Sequence, residues 1–171
     1  MSKPIIFKLF VILLFVLTAG CSKSATLEES QEEAVEAVRE TFESPVEDAK
    51  EETENFQFHL PSGATIKEKN ANNVIIEDGN NTYILFYNQN VTADNEHLYE
   101  LAVQDDAEII KQETFTDEER FGFFVIREVE KDQFELTTGI GGIKMTTQSV
   151  KDDLVADSEF MMEVVSSVKN K

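Results

Sequence analysis

Residues 121–126, Phe-Gly-Phe-Phe-Val-Ile, cannot form a strand with one wet face. Alternation sets Phe121, Phe123 and Val125 on one side and Phe124 and Ile126 on the other. Residues 83–87 repeat the pattern, with Tyr83, Leu85 and Tyr87 opposed to Ile84 and Phe86. A half-solvated antiparallel sheet alternates apolar with polar residues, so both segments are expected to be covered on both sides. Nine Phe after residue 55, and no Trp anywhere, predict a Phe-rich core.

The connections predict how these strands are joined. Residues 73–77 and 82–88 flank Asp78-Gly79-Asn80-Asn81, a hairpin signal, and 121–130 and 133–140 meet at Lys131-Asp132. Phe56–Leu60 alternates and stops at Pro61-Ser62-Gly63. Residues 108–115 form a weaker strand. Gly139, Gly141 and Gly142 mark a kink or bulge before a strand at 143–147. Thr92-Ala93-Asp94-Asn95 can cap a helix running to about 104, with Leu98, Leu101 and Ala102 inward. A last helical region begins at 149–151, breaks near Asp157-Ser158, and sets Phe160, Met161, Val164, Val165 and Val168 on one stripe. The fold class is α+β: an antiparallel sheet covered by helices on both faces.

The order of "FQFHLPSGA" (56–64), "NVIIEDGNNTYILFYN" (73–88), a helix, two long strands, "GIGGIKMTT" (139–147) and "MMEVVSSVK" (161–169) resembles the PsbP-like α/β/α sandwich domains of many bacterial lipoproteins. The resemblance covers 55–171. It implies a non-catalytic binding or assembly-support module.

Ahead of it, residues 22–54 carry twelve acidic and three basic side chains and no Gly. Thr26 and Glu29 form a capping box. Helical winding from 27 to 43 gathers Leu27, Ala34, Val35, Ala37, Val38, Thr41 and Phe42 on one face and the glutamates on the other. Ser44-Pro45-Val46-Glu47 repeats the start signal, so a second short helix is expected at about 45–54. The apolar stripe has three possible destinations: the membrane surface, the following domain, or a partner. Interfacial helices carry basic polar faces, which disfavours the first.

Only one Cys is present, and its setting is specific: "VLTAGCSKS", 16–24. Lys3 and Lys8 precede a run from Leu9 to Gly20 that is nearly all apolar and too short to span a bilayer comfortably. The segment resembles the signal peptide and lipobox of bacterial lipoproteins, with Thr18 where an aliphatic residue is more usual. The resemblance implies cleavage between Gly20 and Cys21, and a diacylglyceryl group on the Cys21 thiol. The new amino terminus is then often acylated, palmitate being among the chains. Two or more chains hold a protein stably at a membrane, whereas one does not. The expected organisation is a signal peptide at 1–20, an anchor with an acidic helical extension at 21–54, and a domain at 55–171. The expected location is the extracytoplasmic face of the cell membrane, with a Gram-positive source favoured.

Charge narrows the partners. Thirty-four acidic against fifteen basic residues give −19, a poor match to nucleic acid or to anionic polymers. A basic protein or a divalent cation suits it better. No catalytic residue, metal ligand set or cofactor motif is found. His59 and His97 stand apart with no H-x-x-x-H spacing. "GIGGIK" (139–144) lacks the adjacent Gly-Lys of a phosphate loop. "EDGNNT" (77–82) has Gln89 where a calcium loop needs its last carboxylate. The acid pairs Asp105-Asp106, Glu118-Glu119 and Asp152-Asp153 are what glycoside chemistry would use, but a chain this acidic produces such pairs on any wet face. The sequence therefore leads to a tethered protein-interaction or assembly-support module. The alternative is a small-ligand or divalent-cation binder, and a carboxylate hydrolase is the remote third.

Overall fold

The computed structural model describes residues 25–104 and 108–171. The leader, the Gly20–Cys21 cleavage site and Asp105-Asp106 lie outside the described residues. The chain is a mixed α+β domain with antiparallel sheets and three helices among the described residues. Its elements are α1 (Leu27–Glu43), β1 (Glu51–Glu52), β2 (Phe56–Phe58), β3 (Thr65–Lys69), β4 (Asn73–Asp78), β5 (Asn81–Tyr87), α2 (His97–Val103), β6 (Ile109–Thr116), β7 (Phe121–Glu130), β8 (Gln133–Ile140), β9 (Ile143–Val150), α3 (Leu154–Ser166) and β10 (Lys169–Asn170). Seven strands pair in the order β3-β4-β5-β9-β8-β7-β6, all antiparallel. A second, small sheet pairs β1 and β10 with β2.

Helix α1 starts where its capping box puts it. The Glu29 N–H donates to Thr26 Oγ1 at 3.2 Å, and the Thr26 N–H donates to Glu29 Oε2 at 2.7 Å. Its apolar stripe is buried in the molecule itself: Ala34, Val35, Val38 and Phe42 pack against α3 and the sheet. They share one cluster with Phe56, Phe58, Tyr83, Leu85, Phe124, Phe134, Leu136 and Met145. That cluster lies on one face of the seven-stranded sheet.

Three expectations of local structure fail, each for a tertiary reason. No helix forms at 45–54. The segment is extended there, and the Lys50 N–H donates to Phe58 O as β1 joins β2, so strand pairing outweighs the Ser-Pro start signal. Helix α2 begins at His97 rather than after Thr92, because residues 92–95 form a turn in which the Thr92 hydroxyl bonds Asp94. Helix α3 runs unbroken through Asp157 and Ser158. Ser158 Oγ donates back to Leu154 O at 2.6 Å, the i−4 bond that a serine can make within a continuous helix, and Asp157 is engaged across the core.

The second face of the sheet departs most from the reading of the sequence. Leu98 and Tyr99 of α2 pack on Phe121, Phe123 and Val125, with Tyr99 ring centroids 5.8 Å from both Phe121 and Phe123. Helix α2 has only seven residues, about 10 Å of cover. It packs on β7 and β8, and Phe86 of β5 reaches the edge of the same cluster. Over β5 and β9 the face is open, and Ile84, expected to be covered, is 50% exposed.

Candidate binding groove

The open part of this face is built from three rows of side chains, fixed by register. Phe86, Lys144, Gly139 and Phe123 stand opposite one another across β5, β9, β8 and β7. The next row is Ile84, Thr146, Thr137 and Val125, and the third crosses β9, β8 and β7 as Gln148, Glu135 and Arg127. The second row runs from exposed Ile84 on β5 to buried Val125 on β7, whereas Phe86 of the first is part-buried against the α2 cluster. The polar half belongs to β9, which alternates buried Met145, Thr147 and Ser149 with Lys144, Thr146, Gln148 and Val150 on the open side.

A groove of about 670 Å³ lies on this surface, lined by Thr82 and Ile84 of β5, Thr146 and Gln148 of β9, and Gln133 and Glu135 of β8. The turn residues Asn80 and Asn81 and the acid Asp153 close one end. At the other end, Glu135 and Thr146 are shared with a smaller hollow of about 200 Å³. Leu101 and Ala102 of α2 bound that hollow on one side, and Arg127, Thr137 and Lys144 of the sheet on the other. The groove offers hydroxyls, amides and two exposed aliphatic side chains, Ile84 and Val150. Glu135 and Asp153 add two carboxylates to that lining.

A second concave surface lies between α1 and α3. Glu33, Glu36, Glu40 and Glu159 line a hollow of about 480 Å³. It runs on past Thr41 and Ser44 to Glu47 and Glu163. Its field is strongly negative.

The residues singled out from sequence are scattered. His59 Nε2 is 3.1 Å from Glu163 Oε1, and the His59 N–H donates to Ser167 Oγ, which ties β2 to the end of α3. His97 Nδ1 is 3.6 Å from Glu100 at the start of α2. Neither lines the groove. Glu118-Glu119 sits in the exposed β6–β7 turn, and Asp152-Asp153 in an exposed turn before α3. Among the described residues no three His, Cys, Asp or Glu side chains converge as a metal set. Gly141 has φ 54° in the tight β8–β9 turn, and the Asn88 N–H donates to Gly142 O, so "GIGGIK" is a hairpin turn closed over by the chain. Arg127 was not singled out. One Arg after an apolar run carries no local signal, and its burial depends on where α2 crosses.

Comparison with known proteins adds little. No family model matches the chain, and no curated protein matches it. Among solved structures it is similar to the solution structure of cyanobacterial PsbP (CyanoP) from Synechocystis sp. PCC 6803. The TM-score is 0.42 at 11% identity, over 69% of this chain and 88% of that one.

Proposed function

We propose that this protein is a lipoprotein, cleaved after Gly20 and anchored by acyl chains on Cys21 at the extracytoplasmic face of the cell membrane. Its domain acts as a protein-interaction or assembly-support module and docks a basic partner on the open face of the sheet. The observation that carries this reading is the uncovered half of that face, where Ile84 and Val150 are 50% and 45% exposed beside a polar groove. Exposed aliphatic groups ringed by hydroxyls and amides are the composition of an interface core with a polar rim. The sign of the partner follows from the net charge of −19 and the glutamate-lined hollow between α1 and α3, which attract cations and repel polyanions.

The test places a photo-crosslinking residue at Gln148 in the groove, or at Glu32 on the outer face of α1, in living cells. Wild type and a Cys21→Ala form are compared. A specific protein captured from position 148, absent from position 32 and lost with Cys21→Ala, supports tethered docking on the sheet. Capture from position 32 alone moves the interface to the helices. No specific capture from either position removes the protein-interaction reading. A Cys21→Ala form that stays at the membrane removes the anchor.

A further inference from the structure

Arg127 is buried, 4% exposed, at the inner end of the groove. A guanidinium has five N–H donors and keeps its charge at any pH a protein survives. Here it makes a single contact among the described residues, Nη1 to Glu135 Oε1 at 3.5 Å, and its Nε is buried with no partner. A buried charge this poorly satisfied is costly and calls for a partner. The other charged side chain buried to this degree, Asp157, receives two hydrogen bonds on Oδ1, although its Oδ2 is also buried without a partner.

The hollow that Arg127 lines is about 200 Å³, room for a group of several heavy atoms at about 30 Å³ per water. Lys144 stands on the same wall, with the hydroxyls of Thr137 and Thr146 as further donors. Against these two cations the hollow sets one carboxylate, Glu135. Its lining thus carries one positive charge in a chain of net −19. A single negative charge completes it, whereas a polyanion is repelled by the rest of the molecule.

We infer that this hollow receives one monoanionic oxyanion, a carboxylate or a phosphodiester, borne on a molecule otherwise neutral or basic. The inference rests on the open sheet face being the binding face, and it adds the chemical group that anchors the ligand there. Arg127 and the two threonines supply the donors. Lys144 supplies the second cation, and Leu101 and Ala102 bound the hollow on the side of α2.

The chain has three arginines, all after Cys21, so the mature lipidated protein, labelled with ¹⁵N-arginine in maltoside micelles, gives few Nε–H signals to follow. Sodium acetate and sodium dimethyl phosphate are the probes, with sodium chloride at matched ionic strength as the control. A saturable shift of the Arg127 Nε–H signal with either probe and not with chloride supports the site. Which probe saturates separates carboxylate from phosphodiester. Lys144→Gln, on a part-exposed residue, is expected to weaken binding about threefold or more, and Lys144→Arg to retain it. A signal that does not move, or moves equally with chloride, overturns the proposal, as does Lys144→Gln binding like wild type. A flat titration beside intact crosslinking from position 148 overturns the hollow alone. Saturable binding without any crosslinked protein overturns the partner and leaves the hollow.

Discussion

Tyr83 Oη donates to Asp157 Oδ1 at 2.7 Å, joining β5 to the first turn of α3 through the core. The same carboxylate oxygen accepts from Asn81 Nδ2 at 2.8 Å, so α3 holds both the start and the middle of β5. The Tyr83 ring also packs on Phe160 with centroids 4.5 Å apart. Removing the hydroxyl leaves the packing and takes one donor from a buried carboxylate. Tyr83→Phe is expected to lower stability by about 1.5–3 kcal/mol, the range for a hydrogen bond to a charged group. A urea melt checks this: the midpoint falls while the slope is unchanged. An unchanged midpoint would mean that Asp157 is satisfied without Tyr83.

The same pair makes the fold sensitive to alkali. Burial first, and then the Asp157 carboxylate, push the Tyr83 hydroxyl well above its ordinary value of 10.0. Burial raises Tyr87 as well. A folded-state value above the unfolded one means stability that is complete below about pH 10 and lost as pH rises beyond it. The expected result is a folded protein in which Tyr83 stays protonated through the ordinary tyrosine range and Tyr87 ionises later than a free tyrosine. Unfolding stability then falls steadily above about pH 10. Absorbance of tyrosinate, followed beside circular dichroism, reads both. Tyr83→Phe flattens that slope. An equal slope in the variant would place the alkaline sensitivity elsewhere.

How far the sequence is legible follows from how local each signal is. The ends of α1 are set by a capping box and a 3.6-residue period, both contained within the segment, and the helix occupies the predicted residues. The paired strands of the β4–β5 and β7–β8 hairpins are legible for the same reason. Edge strand β3 is not, since only Ile66 of its five residues is half-buried and its outward residues read as loop. Asp157 and Ser158 look like a helix break because their side chains compete with the backbone in isolation. Here a tyrosine 74 positions away engages the first of them. Both faces of β5 read as covered because Ile84 is apolar, yet cover depends on the length of α2, which no property of β5 encodes. Arg127 belongs to the same class: its burial is decided by a helix on another part of the chain.

Helix α1 meets β7 at a close fit. The Phe42 ring sits where a Cβ on Gly122 of β7 would be, and Phe115 stacks beside it at 5.9 Å. Arg120 lies over the other side of that ring at 4.2 Å and donates from Nη2 to Phe42 O at 3.0 Å, closing the last turn of α1. Phe42→Ala is therefore expected to cost about 3–5 kcal/mol, as a large aromatic removed from a packed core does. Gly122→Ala is expected to cost about 1–3 kcal/mol through overpacking. Combined with Phe42→Leu, Gly122→Ala should cost less than the sum of the two single changes, because the smaller side chain vacates the space that the new methyl needs. Four urea melts complete that cycle, and strict additivity would show that the ring and the glycine do not constrain each other.

The open face should separate stability from binding. Ile84 and Gln148 are both exposed. Ile84→Ser and Gln148→Ala are therefore expected to change stability by no more than about 0.5 kcal/mol. Ile84→Asp adds a negative charge to a surface proposed to meet a basic partner, so it should keep the attraction while losing the aliphatic contact. Ile84→Lys loses both. Partner capture by the otherwise unaltered protein should thus fall in the order wild type, Ile84→Asp, Ile84→Lys, with melting temperatures nearly level across the series. If capture follows the melting temperatures instead, or if Ile84→Lys captures as well as wild type, the interface is not this face of the sheet. The acidic hollow between α1 and α3 then becomes the surface to alter, beginning with Glu36 and Glu40, which line it together.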